Sequence, residues 1–445
     1  MSQALRMSLM STKNPISSTV PSDIRFAEAV RVFARIGLLS FGGPTAQIAV
    51  MHHILVEEKK WLDENLFVHA LSFCMLLPGP EAMQLVTYAG WRLFGLRGGL
   101  MAGLLFVLPG AVVMLALSMI YALYGQIAWV DALFFGIKAA VLVIVIEALL
   151  RVAKRALQQV WHWWLAGLSF LGIFVFTLPF PLIIAGAAFF GFWIKTSADQ
   201  PAAEKMMHGV SITATLGRMA VWGSVWLGPL WLLLWQMGDA HLLSKLGVFF
   251  SKLALVTFGG AYAVLAYMAQ DVVQLHGWLE AGQMMTGLGL AETTPGPLIL
   301  VTEFVGFLAA FKQGGLAMGV MGAAVALWMT FAPCFLWIFV GGPYLEWIIA
   351  RPRLKGALSA ITAAVVGVIF NLSLWFALHV FFTQVDVVKA YGMSLFVPDF
   401  ASLDFGVVII ALVSAALLLG RHWSMGWVLA VAAGLGLVLR FGLNV

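Results

Sequence analysis

Residues able to do chemistry recur in this chain at a fixed distance. Arg35, Ser40, Phe41, Gly42 and Gly43 are matched by Lys252, Thr257, Phe258, Gly259 and Gly260, each 217 positions later. A cation, a hydroxyl and two glycines in that order suit an anion: the cation brings charge and, for arginine, forked donors, the hydroxyl donates, and glycine lets backbone N–H groups approach. Both patterns also have structural uses, since Arg35 and Lys252 can snorkel to an interface and paired glycines allow close helix packing. The step of 217 also carries Pro78-Gly79-Pro80 to Pro295-Gly296-Pro297.

Carboxylates cluster around these breaks. Glu81 follows the first Pro-Gly-Pro, with Gln84 one turn on; Glu292 precedes the second, and Glu303 lies in the span after it. An intramembrane carboxylate is costly when ionised, which points to proton binding, a counter-ion role or gating. Glu81 equally suits a helix cap, and Thr293 and Thr294 suit either a hydroxyl site or a plain turn. Lys138, Glu147 and Asn371 are also placed within spans, Glu147 and Asn371 being equivalent at an offset of 224.

Other chemistries find no support. His52-His53 is an adjacent pair, and no HExxH, Gly-x-Ser-x-Gly or Walker sequence occurs. Cys74 and Cys334 lie in apolar surroundings and read as packing residues. No enzyme, metal or cofactor is expected, and without a nucleotide-hydrolysing domain any transport is secondary.

The elements that must position these groups are membrane helices. Of 445 residues 62% are hydrophobic and 10% charged, with 18 Trp and 33 Phe, far too apolar for a soluble domain. Long continuous apolar stretches exclude a barrel. The chain therefore reads as an all-α polytopic membrane protein of about 13 spans. These are placed at 26–49, 65–94, 99–124, 128–150, 161–178, 180–194, 219–237, 246–268, 281–311, 316–341, 357–383, 404–420 and 423–443. The spans 65–94 and 281–311 must break at Pro-Gly-Pro, because two prolines around a glycine cannot stay in one helix. In lipid such a break needs protein or a water-filled cavity around it. Pro80 suits the first position of a new half-helix, whose free N–H groups could face an anion. Two broken segments at matching places point to a transporter's binding site. Whether they span or are re-entrant stays open.

The 217 offset also relates Ala46 to Ala263, Met51 to Met268, Val56 to Val273 and Trp61 to Trp278, and with shifts Gly98-Gly99 to Gly314-Gly315 and Pro109 to Pro333. This is an internal duplication. Residues 1–25 form a polar cytoplasmic tail, 26–194 the first repeat, 195–245 a linker with a polar loop and a connecting span, and 246–445 the second repeat. Arg151-Val152-Ala153-Lys154-Arg155 and Arg351-Pro352-Arg353-Leu354-Lys355 fall in non-equivalent loops. Kept on one side, they make the repeats inverted in topology. The net charge of +5 is scattered over short loops and implies no nucleic-acid partner.

Taken together these residues resemble the chromate ion transporter family in its long, two-domain form. The resemblance rests on Ser40-Phe41-Gly42-Gly43-Pro44-x-x-Gln47-Ile48, Trp61, Leu77-Pro78-Gly79-Pro80-Glu81-x-x-Gln84-Leu85, Gly98-Gly99 and Phe106-x-Leu108-Pro109-Gly110, with Phe258-Gly259-Gly260 and Thr294-Pro295-Gly296-Pro297-Leu298 in the second half. The second half lacks counterparts of Pro44, Gln47 and Gln84, having Ala261, Val264 and Val301 instead, which suggests divided roles. The resemblance implies a multi-pass protein of the bacterial inner membrane that exports chromate and confers resistance to it. Substrate-binding candidates are Arg35, Ser40, Gly42, Gly43, Gln47, Pro78, Gly79, Pro80, Glu81, Gln84, Lys252, Thr257, Gly259, Gly260, Thr293, Thr294, Pro295, Gly296 and Pro297. Coupling or gating candidates are Glu81, Glu292, Glu303 and Glu147. Sulfate as a competitor, protons in antiport and a homodimer are left open; the alternatives are a sulfate or other oxyanion carrier, or an intramembrane enzyme acting on lipid phosphate.

Overall fold

The computed structural model describes residues 24–194, 212–258, 261–349, 351–390 and 393–442. The N-terminal tail up to residue 23, the polar loop from Lys195 through His208, and Gly259-Gly260 lie outside the described residues. The protein is an all-α membrane protein whose described residues include one short β-hairpin, and five helices among the described residues are long and apolar enough to cross a bilayer.

The first segment is helix α1 (Phe26–Leu39) followed by α2 (Pro44–His52), which continues in wider turns through His53–Glu58. The expected single span 26–49 is therefore broken at Ser40–Gly43, where Gly42 takes φ +78°. The two arms return on one another: Lys59 Nζ lies 2.8 Å from Glu28 Oε1, and Arg35 Nη1 is 2.8 Å from Glu58 Oε1. A chain running on in one direction would hold residues 28 and 59 about 45 Å apart, so the segment doubles back as a helical hairpin.

Next come α3 (Glu64–Leu76) and α4 (Glu81–Tyr124), separated by extended residues around Pro78-Gly79-Pro80. Asp63 starts α3 by accepting the Leu66 N–H at 2.7 Å. The break begins and ends where the prolines dictate, but it also reverses direction, because the rings of Phe73 and Tyr88 lie 6.3 Å apart. A through-running span would separate those residues by roughly 30 Å. At Phe94-Gly95 α4 turns again, Gly95 taking φ +61°, and then runs as one long span to Tyr124.

The second half repeats this plan after α5 (Ala128–Ala156), α6 (Val160–Phe174), α7 (Phe180–Trp193) and the connecting α8 (Ile212–Met237). Helix α9 (Leu242–Val256) pairs with α10 (Ala261–Gln270, continued by Asp271–Leu275), and Phe249 meets Trp278 at 5.4 Å. The expected span 246–268 is thus broken as well. Helix α11 (Ala281–Thr293) pairs with the start of α12 (Val301–Gly341), where Lys312 Nζ donates to Gln283 Oε1 at 2.7 Å. Gly314 (φ −142°, ψ 18°) and Gly315 (φ 70°, ψ −159°) reproduce the turn of Phe94 (φ −135°, ψ 22°) and Gly95 (φ 61°, ψ −149°).

That turn corrects the expected pairing of Gly98-Gly99 with Gly314-Gly315. A Cβ on Gly98 would meet the Gly90 carbonyl oxygen at 2.2 Å, and one on Gly322 would meet that of Gly306 at 2.2 Å. The close approach of Gly98 is therefore matched at Gly322, and the second hairpin is longer around its turn.

Beyond their turns α4 and α12 pack antiparallel: a Cβ on Gly99 would touch Phe339 and one on Gly103 would touch Phe335. Phe26 rests on Phe94 with centroids 5.3 Å apart. The first-half hairpins accordingly open at the end of the molecule marked by Gly95, and the second-half hairpins at the other end, marked by Gly315. Short helix α13 (Leu345–Ile349) leads into α14 (Pro352–Phe381), then strands β1 (Val385–Ala390) and β2 (Met393–Pro398), pairing Val385 with Pro398. Helices α15 (Phe405–Ala415) and α16 (Met425–Gly442) complete the chain. Small residues let α5 and α16 touch, since a Cβ on Gly136 would sit 1.9 Å from the Ala432 carbonyl oxygen.

Candidate functional site

The breaks of the two halves meet in the centre. Gly79 N–H donates to the Thr257 carbonyl at 2.8 Å, and the equivalent Gly296 N–H donates to the Ser40 carbonyl at 2.7 Å. Each Pro-Gly-Pro is thus held by the other half's first hairpin, which satisfies backbone groups that lipid could not. Gly79 and Gly296 take φ +124° and +86°. Space is as tight as the backbone is strained: a Cβ on Gly79 would lie 2.6 Å from Gln84 Nε2 and 3.1 Å from Cys334 Sγ. Pro109 withdraws the N–H that would bond Leu105, and that free carbonyl approaches Gly37 so closely that a Cβ there would sit 2.1 Å from it.

Most expected residues build this centre rather than point into open space. The hydroxyls of Ser40 and Thr257 donate to the carbonyls of Ile36 and Leu253, both at 2.6 Å, ending α1 and α9. Thr293 and Thr294 likewise donate to Leu290 and Ala291. Gln47 Nε2 donates to the carbonyls of Gly42 at 2.8 Å and Gly296 at 2.7 Å, joining the halves through a residue that the second half replaces by Val264. Gln84 Nε2 donates to the Pro78 carbonyl at 2.7 Å, while its Oε1 is buried without a partner among the described residues. Pro80, Pro295 and Pro297 complete the extended breaks.

The two cations lie elsewhere. Arg35 is ion-paired with Glu58 at the mouth of the first hairpin, its side chain half exposed. Lys252 is exposed on α9. Neither is brought to the breaks. At the same mouth, past the end of the expected span 26–49, the His53 imidazole hydrogen-bonds Glu57 at 2.7 Å and holds its carboxyl below the ordinary value. Glu303 is buried with Oε2 unpartnered, as is Glu292 Oε2; Glu292 Oε1 accepts from the Tyr262 hydroxyl at 2.8 Å. Lys138 approaches Gly282, near the far end.

Chemistry converges instead on a cavity of about 510 Å³ at the end where the first-half hairpins open. Three half-helices begin at its wall: α2 at Pro44, α4 at Glu81 and α10 at Ala261. Each presents free N–H groups carrying about half a positive charge. The last turns of α5 add Arg151, Lys154 and Arg155, with Thr45, His162 and Tyr262 supplying neutral polar groups. Arg151 is paired with Glu147, Nε lying 3.2 Å from Oε1, and its Nη1 reaches within 4.0 Å of where a Gly43 Cβ would stand. Three side-chain cations and three helix starts line the cavity with one carboxylate, Glu81, while Glu147 is engaged with Arg151 beside it, so the cavity favours an anion with several acceptor oxygens.

Arg151, Lys154, Arg155 and Tyr262 were not among the expected site residues. The signal is present, because basic residues at i, i+3 and i+4 share one helix face, but the same stretch also marks loop orientation. Among the described residues no group of three or more His, Cys, Asp and Glu side chains could hold a metal.

The family profile described as Chromate transporter matches residues 27–192 and 244–437, one block in each half. A chromate transport protein of Cupriavidus metallidurans is 28% identical over 436 residues, covering 96% of this chain and 98% of that protein. One of Pseudomonas aeruginosa is 31% identical over 360 residues, 79% of this chain and 81% of that protein. An uncharacterised transporter of Methanocaldococcus jannaschii is 26% identical over 350 residues, 78% of this chain and 83% of that protein. No solved structure matches the chain. With both halves matched and the breaks that carry the motifs assembled around one basic cavity, the chain belongs to the chromate transporter family.

Proposed function

We propose that this protein is a secondary transporter that exports chromate from the bacterial cytoplasm across the inner membrane and so confers resistance. The observation that carries the reading is the basic cavity walled by three half-helix starts. Chromate at neutral pH is largely a tetrahedral dianion, whose oxygens suit arginine forks and backbone N–H groups. Direction follows from charge. Arg151, Lys154 and Arg155 line the cavity, Lys59, Lys60, Arg92 and Arg97 flank the open ends of the first-half hairpins and the Arg351–Lys355 loop joins them, against Lys138, Lys312 and Arg440 toward the other end. Basic loops stay in the cytoplasm, which makes the cavity a cytoplasmic entrance.

The hairpins of the two halves open at opposite ends, which supports two inverted-topology repeats joined by α8. The four re-entrant hairpins stand where four of the thirteen expected spans were placed. Outward movement of two negative charges out of a compartment that is negative inside is favoured by about 4.6 kcal/mol per 100 mV, so potential alone suffices as a driving force. Proton antiport through Glu81, Glu147, Glu292 or Glu303 is the form that coupling would take.

Inside-out vesicles test the reading. With a positive-inside potential they should accumulate chromate, and excess sulfate and a collapsed pH gradient measure selectivity and coupling separately. No accumulation under any gradient would overturn export.

A further inference from the structure

A second cavity, about 20 Å³, lies toward the opposite end of the molecule. It is lined by Gln270, Gln274, Asn371 and Thr177 and covered by Trp375 and Phe396. Two elements run from the basic cavity to this one. Helix α10 and its continuation contribute Tyr262 to the first and Ala266, Gln270 and Gln274 to the second, a stripe at four-residue spacing on one helix face. Helix α14 contributes Ser359 and Thr362 to the first, Asn371 and Trp375 to the second. Along α10 the amides lie about 12 to 18 Å beyond Tyr262.

The duplication gives this place a meaning. At the offset of 224, Glu147 corresponds to Asn371, Arg151 to Trp375 and Arg155 to His379. The second cavity is therefore the counterpart, at the other end, of the α5 wall of the basic one, with its ions replaced by amide and aromatic groups. The side chains of Gln270, Gln274 and Asn371 have no hydrogen-bond partner among the described residues, so their N–H donors are available. The cover is a chain of rings: Trp375 to His379 at 4.4 Å, His379 to Phe396 at 5.9 Å, and Phe396 of β2 to Phe174 at 6.3 Å. Tyr262 lines the basic cavity near the start of α10 and is held by its hydrogen bond to Glu292.

We propose that Gln270, Gln274 and Asn371 form an outward-facing station for the tetrahedral oxyanion, set apart from the basic cavity by about two turns of α10 and flanked by the Trp375–Phe396 rings, with Gln274 already exposed. The inference rests on the export reading above. Neutral amides bind an oxyanion less tightly than guanidinium, since charge-assisted hydrogen bonds are roughly twice as strong. An anion captured by Arg151 and passed to amides is thereby handed to a weaker site from which it leaves. The basic cavity, about 510 Å³, has room for the anion, whereas about 20 Å³ holds roughly one water, so the station takes the anion only after widening.

Inside-out vesicles expose the basic cavity to the bath and the amide station to the lumen, so the two are titrated from different sides. The probe is chromate itself: KM from the bath, and the lumenal concentration that halves influx. Gln270→Glu and Asn371→Asp place a negative charge in the station. Each should raise the lumenal half-inhibition concentration about tenfold or more while leaving the bath KM within twofold, with flux normalised to protein in the membrane. Gln270→Asn, which keeps a neutral amide, should restore lumenal inhibition to within a few-fold of the parent, and Leu275→Gln on the exposed side of the same segment should match the parent. Equal shifts on both sides, or no lumenal shift in any variant that reaches the membrane, would overturn the station. Failure of the unmodified protein to move chromate would overturn the export reading instead.

Discussion

Arg151 is the most informative residue to remove. It lies at the wall of the basic cavity, 4.0 Å from the Cβ position of Gly43, and is paired with Glu147 one turn earlier. A hydrogen bond to a charged partner contributes about 1.5–3 kcal/mol, which would be roughly 10- to 150-fold in affinity at 1.4 kcal/mol per factor of ten. The Arg151 side chain is 40% exposed, so water screens the interaction and the low end applies. Arg151→Gln should raise the KM for chromate at the cytoplasmic face about tenfold, with a smaller change in kcat. Part of that loss comes from Glu147, left as an unpaired carboxylate beside the cavity. The double variant Arg151→Gln, Glu147→Gln should therefore recover some affinity, and Arg151→Lys should fall between, keeping charge but losing the fork. Initial rates of chromate uptake into inside-out vesicles measure all three. An unchanged KM in Arg151→Gln would refute the assignment of the cavity as the entrance.

Arg35→Gln should change KM less than twofold and cost at most about 1 kcal/mol of stability, as expected for an exposed ion pair; a tenfold KM effect would return Arg35 to the site. Gly79→Ala forces a side chain into φ +124° against Gln84 and Cys334 and should destabilise by about 1–3 kcal/mol, read as a lowered melting temperature in detergent. Gln47→Leu leaves the carbonyls of Gly42 and Gly296 without their donor, at about 1–3 kcal/mol each when buried, and a variant as stable as the parent would show the link to be dispensable. Glu81→Gln should alter the pH dependence of export; an identical profile would leave Glu81 a helix cap.

What the sequence made legible was what proline and repetition enforce. The helix ends at Leu76 and restarts at Glu81 because Pro78 and Pro80 forbid anything else, and the copy at Pro295-Gly296-Pro297 behaves alike. The breaks at Ser40–Gly43 and after Thr257 replace the continuous helix that the sequence predicts there, since a glycine pair permits a bend without demanding one. Reversal of direction was equally hidden. A broken span and a re-entrant hairpin have the same local signals, and only distant pairs such as Lys59 with Glu28 or Lys312 with Gln283 distinguish them. Ser40, Thr257, Thr293 and Thr294 were candidates because hydroxyls bind anions, yet each is spent on a carbonyl of its own helix. Arg151 is hidden in the sequence because it sits at a helix end, where a basic residue ordinarily reports topology.

Electrogenic export of a dianion is tested most directly by the chromate accumulation ratio in inside-out vesicles as the imposed potential is stepped from zero to 100 mV, positive inside, with no pH gradient. Movement of two charges is favoured by about 4.6 kcal/mol at 100 mV, so the equilibrium ratio should approach the order of 10³ and be far smaller for Arg151→Gln at early times. A ratio that does not respond to potential would contradict export driven through the basic cavity.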